Sequence, residues 1–494
     1  MIETHLPALI ALNFLAFSVI IPLFGMWRVQ WSQPLAVLGG GISAILSVYG
    51  FITYVNDTPL RYFFGAWEPP IGIEFVYDGL SAFVIMVINV IAFIVLIHSG
   101  PISVKEFPRK RMAYYSVAML MMLGFNGMVL TGDLFNLFVF LEIASLSTYA
   151  LIAIGEKPAP FAAFRYLIIG TAGGTLFLLG VGFLYTVTGT LNIIDMTAMI
   201  PEFADNRAVI TGTILIVTGI AIKAALFPMH GWLPDSYTFA SSSSSALIAP
   251  IGTKVAAYVL FRVILYLFGI EWADLVIPLT WIIGVLASIG ILYGSIMAIA
   301  QNELKRMLAY SSVSQLGYII LGLSLANPYG FIGALLHLLN HAVMKACLFM
   351  VAAHIRMKEG HSDISRFNHT YRKKYPWTMF SFSVAAISMV GLPPLAGFFS
   401  KWYLALGTIE ANSWVFLTVI LFSSLLNAVY FFRILEKVYM KDPFADKEIP
   451  DDQAQPDEVK PSMLWTTLTF AAALFLIGIF NVAIVAVLLN IFPA

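Results

Sequence analysis

Apolar residues fall along this chain in long, almost uninterrupted blocks rather than in the alternating or every-third-residue patterns of soluble strands and helices. A block of about 20 apolar residues matches a helix that crosses a bilayer, and a span-length window finds fourteen of them. They cover 5–25, 33–55, 78–98, 112–131, 134–154, 161–186, 208–227, 243–269, 275–298, 307–326, 329–354, 377–408, 413–436 and 464–490. Two are interrupted by proline. The seventh ends in KAALFPMHGWLPDSY, where Pro228 and Pro234 bracket His230, and the twelfth contains GLPPLAGFFSKWY, with Pro393 and Pro394 ahead of Lys401. Irregular backbone at membrane depth is tolerated only where it is buried or lines a wet cavity. The two breaks lie five spans apart and so run in opposite directions, the arrangement of a transport site between inverted repeats. The expected fold is an all-α polytopic membrane protein of about fourteen helices. Its expected parts are 1–111, three flanking helices; 112–269, a first five-helix repeat; 270–436, a second; and 437–494, a cytoplasmic loop with the last span.

Charge fixes an orientation for this array. With the N-terminus outside, eighteen Lys and Arg fall in inward loops and only Arg61 and Arg207 in outward ones, a strong positive-inside asymmetry. Lys305, Lys441 and Lys447 count among the inward group. Both termini are expected outside, and the first span reads as a retained helix rather than a cleaved leader. Only 11% of the 494 residues are charged and mean hydropathy is +0.88, which excludes a soluble enzyme. Basic and acidic residues balance at 27 each, so nothing points to nucleic acid. The single cysteine, Cys347, excludes an intrachain disulfide and any all-cysteine metal or iron–sulfur site.

Seven basic residues remain within or near the spans: Arg165, Lys223, Lys254, Arg262, Lys345, Lys401 and Arg433. A charge at the bilayer centre costs about 2.5–3.5 kcal/mol on insertion scales, so such residues usually face the bundle interior and mark an ion or proton path. Arg262 and Arg433 fall toward helix ends, where snorkelling or structural pairing is adequate, and Arg165 suits an interfacial anchor. The four lysines sit deeper. Glu142 is the one acidic residue well inside a span and needs a basic neighbour if ionised; Asp78 and Asp133 fit helix starts. In the eleventh span, HLLNHAVMKA places His337, His341 and Lys345 every four residues, on one stripe and about 6 Å apart along the axis. Waters can bridge such groups into a relay. Histidine exchanges protons near neutral pH, and a desolvated lysine can do so too. The alternative is a static polar interface. A metal is not expected, because no HExxH glutamate follows and a lysine shares the face.

At these residues the chain resembles the antiporter-like, proton-conducting membrane subunits shared by respiratory complex I, membrane-bound hydrogenases and the Mrp multisubunit Na+/H+ antiporters. The resemblance rests on GAWEPPIGIEFVYDGLSAF, FLEIASLSTYALI, KAALFPMHGWLPDSY, TKVAAY, ELKRMLAYSSVSQLGY, HLLNHAVMKACLF and GLPPLAGFFSKW. It implies that Glu142 and Lys223 pair in one half-channel and that Lys254 bridges centrally. It also implies that His337, His341 and Lys345 link to the second half, with Lys401 as terminal titratable group. Chain length and Lys401 make it most similar to the D-type subunits of Mrp antiporters. ASSSSSALIAP departs from the Gly-Ala-Pro-rich segment usual for the family, and Ser241 to Ser245 read as a polar turn or first helical turn.

The resulting expectation is a subunit of a Na+/H+ antiporter in the prokaryotic cell membrane, moving H+ through buried Glu, Lys and His. It has no catalytic site of its own and needs no cofactor. Its partners are other integral membrane subunits, one of which would hold any Na+ site, since lysines cannot ligate Na+. Two other readings stay open: the same channel inside a redox-driven complex, and a non-transporting scaffold.

Overall fold

The computed structural model describes residues 2–55, 58–155, 157–203, 205–440 and 455–492. The helices in chain order are α1 (Ile2–Gly25), α2 (Ser32–Tyr54), α3 (Gly79–Glu106), α4 (Arg111–Leu130), α5 (Leu134–Ala153), α6 (Ala159–Thr188), the short α7 (Ile193–Met199), α8 (Arg207–Lys223), α9 (Leu233–Phe239) and α10 (Ser242–Phe261). A π-helical stretch, Arg262–Phe268, prolongs α10. There follow α11 (Ile270–Val276), α12 (Leu279–Ile299), α13 (Leu304–Ser324), α14 (Pro328–Glu359), α15 (Thr370–Lys374), α16 (Pro376–Val390), α17 (Ala396–Glu410), α18 (Trp414–Tyr439), α19 (Pro461–Ile479) and α20 (Asn481–Leu489). Among the described residues, 12 helical segments are long and apolar enough to cross a membrane. The other two predicted spans are pairs of shorter helices, α8 with α9 and α16 with α17, parted at the prolines the sequence singled out.

Polar residues at the span ends act as caps. Asp78 accepts from the Ser81 amide in a capping box at the start of α3, and Asp133 accepts from the Asn136 amide to start α5. Ser241 accepts from the Ser244 amide at 3.1 Å, so the serine run is the first turn of α10. The carboxylate of Glu106, from α3, bonds the Ser242 amide and hydroxyl. That negative charge sits where the first-turn amides and the helix dipole favour it.

The structure departs from the all-helical expectation in one place. Strands β1 (Leu60–Phe63) and β2 (Glu74–Tyr77) pair antiparallel, Leu60 opposite Tyr77 and Phe63 opposite Glu74. Glu74 is fully buried there, held by Arg61 at 2.7 Å and by the Asn192 amide at 2.5 Å. The alternation in IEFVY is too short to register in a window sized for spans. Lys305 also departs from expectation. Counted above as a loop charge, it lies buried in the first turn of α13 and donates to the Ala240 carbonyl at 2.6 Å. Lys441 and Lys447, counted with it, lie outside the described residues.

Packing places α14 at the centre, against α3, α10, α13, α16, α17 and α19, and buries it on all sides. Helices α6 and α8 close together through glycines. A Cβ at Gly212 would lie 2.9 Å from the Gly180 carbonyl oxygen, a spacing that only small residues permit. This close seam fixes the end of α8 beside α5, where the candidate site begins.

Candidate functional site

The site starts where α8 stops. Pro228 has no amide hydrogen and cannot continue a helix, so the chain leaves the helical path after Lys223 and resumes at α9, with Pro234 in its first turn. The indole of Trp232 ties the break together, donating to the Ile222 carbonyl at 2.9 Å and stacking on Tyr166. Lys223, the last residue of α8, is thereby left at a helix C-terminus, where a cation is favoured. Its ammonium lies 3.6 Å from the Glu142 carboxylate, 2.7 Å from the Ser145 hydroxyl and 3.4 Å from the Tyr149 hydroxyl. These three residues of α5 stand at i, i+3 and i+7, one helical face. Beside Lys223, with Thr148, Tyr237 and Thr253 in its wall, a cavity leaves about 30 Å³ for water centres, room for one or two waters. His230 sits elsewhere in the break, stacked on Phe227 and edge-on to Tyr293.

Lys254 lies at mid-length in α10, fully buried, with its ammonium on the Ala249 carbonyl at 2.6 Å. On α14 the predicted stripe is present: the His337 and His341 rings lie nearly parallel with centroids 6.1 Å apart. Neither ring nitrogen of His341 has a hydrogen-bond partner among the described residues, although both are buried. Such a group is an open donor and acceptor for water. Lys345, the third member, turns aside: its ammonium bonds the Leu308 carbonyl and the Ser311 hydroxyl of α13, each at 2.6 Å.

The far end mirrors the beginning. Pro393 and Pro394 separate α16 from α17, and Gly391 closes α16 in the left-handed conformation, φ 91°. Lys401, one turn into α17, reaches back to the exposed carbonyls of Met389 and Val390 at 3.1 and 2.9 Å and to the Ser424 hydroxyl at 3.1 Å. Its ammonium also sits 5.1 Å from the centroid of the Tyr318 ring. His337 meets this end directly, 3.0 Å from the hydroxyl of Ser400, and its other nitrogen is 2.9 Å from the Gln315 side-chain oxygen.

The structure thus brings Glu142 and Lys223 together, and places His337 between His341 and the Lys401 end of the row, beside Ser400 and Tyr318. Among the described residues no hydrogen bond links Lys254 to Lys223 or to His341. Ser145, Tyr149, Gln315 and Tyr318 were missed in the sequence, although helical spacing from Glu142 would have found the first two. The flanking arginines are structural: Arg262 pairs with Asp78, Arg433 donates to the Ile299 and Gln301 carbonyls, and Arg165 pairs with Asp235 near the surface.

Fold and site together define a polytopic membrane protein with a row of buried titratable side chains between two broken helices. Residues 131–427 match the family described as NADH:quinone oxidoreductase/Mrp antiporter, TM. The chain belongs to that family of antiporter-like membrane proteins. It is 45% identical to the NADH-quinone oxidoreductase subunit N of Desulforudis audaxviator (strain MP104C), covering 98% of this chain and 97% of that one. It is 31% identical to a D-type Na(+)/H(+) antiporter subunit of Alkalihalophilus pseudofirmus, over 75% of this chain and 74% of the relative. Among solved structures it is similar to a chain of the membrane-bound sulfane sulfur reductase, an archaeal respiratory membrane complex, with TM-score 0.89 and 28% identity over 98% of this chain and 96% of that one.

Proposed function

We propose that this chain is a proton-translocating subunit of a Mrp-type monovalent cation/proton antiporter in a prokaryotic cell membrane. Protons pass by way of Glu142, Lys223, Lys254, the His337, His341 and Lys345 stripe, and Lys401. The observation that carries this is the pairing of each broken helix with a buried lysine, with Lys254, His337 and His341 buried between them. Broken helices opening onto a midplane site are the recurrent build of secondary transporters. In this reading the chain crosses the membrane fourteen times with both termini outside, and α4–α10 and α12–α18 are the inverted repeats. Any Na+ binds a partner protein of the complex, because the row holds lysines where a Na+ site needs a cluster of oxygens.

A second reading places the same channel in a redox-driven complex. The 45% identity to a protein named as a quinone oxidoreductase subunit favours it. Purifying the native complex and identifying its components decides between them: co-purified flavin and iron–sulfur proteins establish the redox-driven complex, and an assembly of membrane proteins alone the antiporter. Orientation is tested by cysteine labelling. Positions 200–205 should label from outside and 360–375 from the cytoplasm; labelling from the same side would overturn the fourteen-crossing arrangement.

A further inference from the structure

Two histidines take no part in the row described above. His98, on α3, and His354, on α14, are both buried, and their Nε2 atoms lie 3.0 Å apart. His354 stands nine residues beyond Lys345, roughly 14 Å along the helix axis, so the pair is well separated from the central stripe. The chain of contacts continues outward. His354 Nδ1 lies 3.1 Å from the Thr378 hydroxyl, and that hydroxyl donates to the Glu458 carboxylate at 2.7 Å. Glu458 belongs to the segment leading into α19 and is half-buried, its other oxygen capping α16 at the Trp377 and Thr378 amides.

Hydrogen-bond direction is settled by the carboxylate, which only accepts. Thr378 spends its proton on Glu458 and therefore accepts from His354 Nδ1–H, which leaves His354 Nε2 to accept from His98 Nε2–H. His98 Nδ1 is then a bare acceptor, and it is indeed buried with no partner among the described residues. The other groups around the pair are Thr467 and the Met463 main chain of α19 and Met350 of α14, none of which titrates. Four helices, α3, α14, α16 and α19, enclose an imidazole pair whose one polar outlet leads to a carboxylate at the protein surface.

We propose that His98 and His354 form a second proton-binding site, emptied toward the end of the bundle that carries Glu458 and separate from the central row. With a proton on His98 Nδ1 both His98 nitrogens carry hydrogen; the Nε2 proton then passes to His354 Nε2, the His354 Nδ1 proton to the Thr378 oxygen and the Thr378 proton to the Glu458 carboxylate. Each link is reversed in the process and restored when the proton returns, so no oxidant or further reactant is needed. The proposal rests on the proton-carrying reading of the chain, but its test does not depend on transport.

The test is infrared difference spectroscopy of the whole purified complex with ring-labelled histidine, after a jump from acid to alkaline buffer. An imidazolium band present in acid should decay after the jump, and be missing from both His98→Gln and His354→Gln, whose amides preserve hydrogen bonding. Band decay should slow roughly fivefold or more in Thr378→Val and Glu458→Gln and stay near wild type in Thr378→Ser. An unchanged band in the two histidine variants would overturn the site. Equal rates for Thr378→Val and wild type, or equal loss in the valine and serine variants, would overturn the route. Transport by Lys223→Arg, measured on the same preparations, reports separately on the central row.

Discussion

At the first broken helix the Lys223 ammonium faces the Glu142 carboxylate and two hydroxyls of α5; at the second the Lys401 ammonium faces the Met389 and Val390 carbonyls, a serine and an aromatic face. Both lysines use the negative end of an interrupted helix. They differ in what can change. A carboxylate can take up a proton or swing away, so the field at Lys223 is adjustable. Main-chain carbonyls keep their dipoles whatever the protonation state, so the field at Lys401 is set by the fold. In the proposed function, two ends of one row, one adjustable and one fixed, would give a proton a reason to move in steps.

The comparison is broken most severely by removing the proton's exchangeability at the adjustable end. Lys223→Arg should lose proton/cation exchange nearly as fully as Lys223→Ala, by more than about tenfold, because arginine keeps its proton in proteins. Substantial exchange in an assembled Lys223→Arg complex, measured in membrane vesicles, would make Lys223 a structural partner of Glu142 and nothing more. The next largest contrast separates the two ends. Glu142→Gln should reduce exchange roughly tenfold, whereas Ser424→Ala, which spares both carbonyls at Lys401, should cost about twofold or less. Equal losses would mean that Lys401 is not held by the backbone. On the stripe between them, Lys345→Ala should lower exchange several-fold more than His337→Ala, since water can stand in for a relay histidine but not for a charge carrier; the same vesicle assay decides. The smallest effect is expected at Gly391. A Cβ there would lie 2.9 Å from the Lys401 side chain, on a backbone of positive φ. Gly391→Ala should lower the thermal stability of the purified complex by about 1–2 kcal/mol and exchange by about twofold.

The ends of the row were readable in the sequence because proline and charge are rare in apolar blocks. Pro228, Pro393 and the four lysines announced themselves against a uniform background. The spacing of His337 and His341 carried over to parallel rings for the same reason: helical geometry fixes what lies four residues apart. Lys345 did not follow, since a flexible four-carbon side chain chooses its partner from tertiary neighbours, here the Leu308 carbonyl and Ser311 on α13. Lys305 misled in the opposite sense. Its position beside a loop says nothing of the Ala240 carbonyl that waits for it 65 residues away in sequence. The pairing of His98 with His354, 256 residues apart, has no local signature at all.

Helix α14 has no face left for lipid. During synthesis it would leave the insertion machinery with His337 lacking Ser400 and His354 lacking Thr378, before α16, α17 and α19 exist to cover them. Its early neighbours, α3, α10 and α13, close only part of its circumference. The centre of the molecule must therefore wait, held near the translocon or against earlier helices, until the C-terminal helices arrive to seal it. Late synthesis of the cover makes the last quarter of the chain a condition for the middle to become membrane-stable, and makes a ribosome stalled after Gly360 a source of protein with one side of α14 exposed.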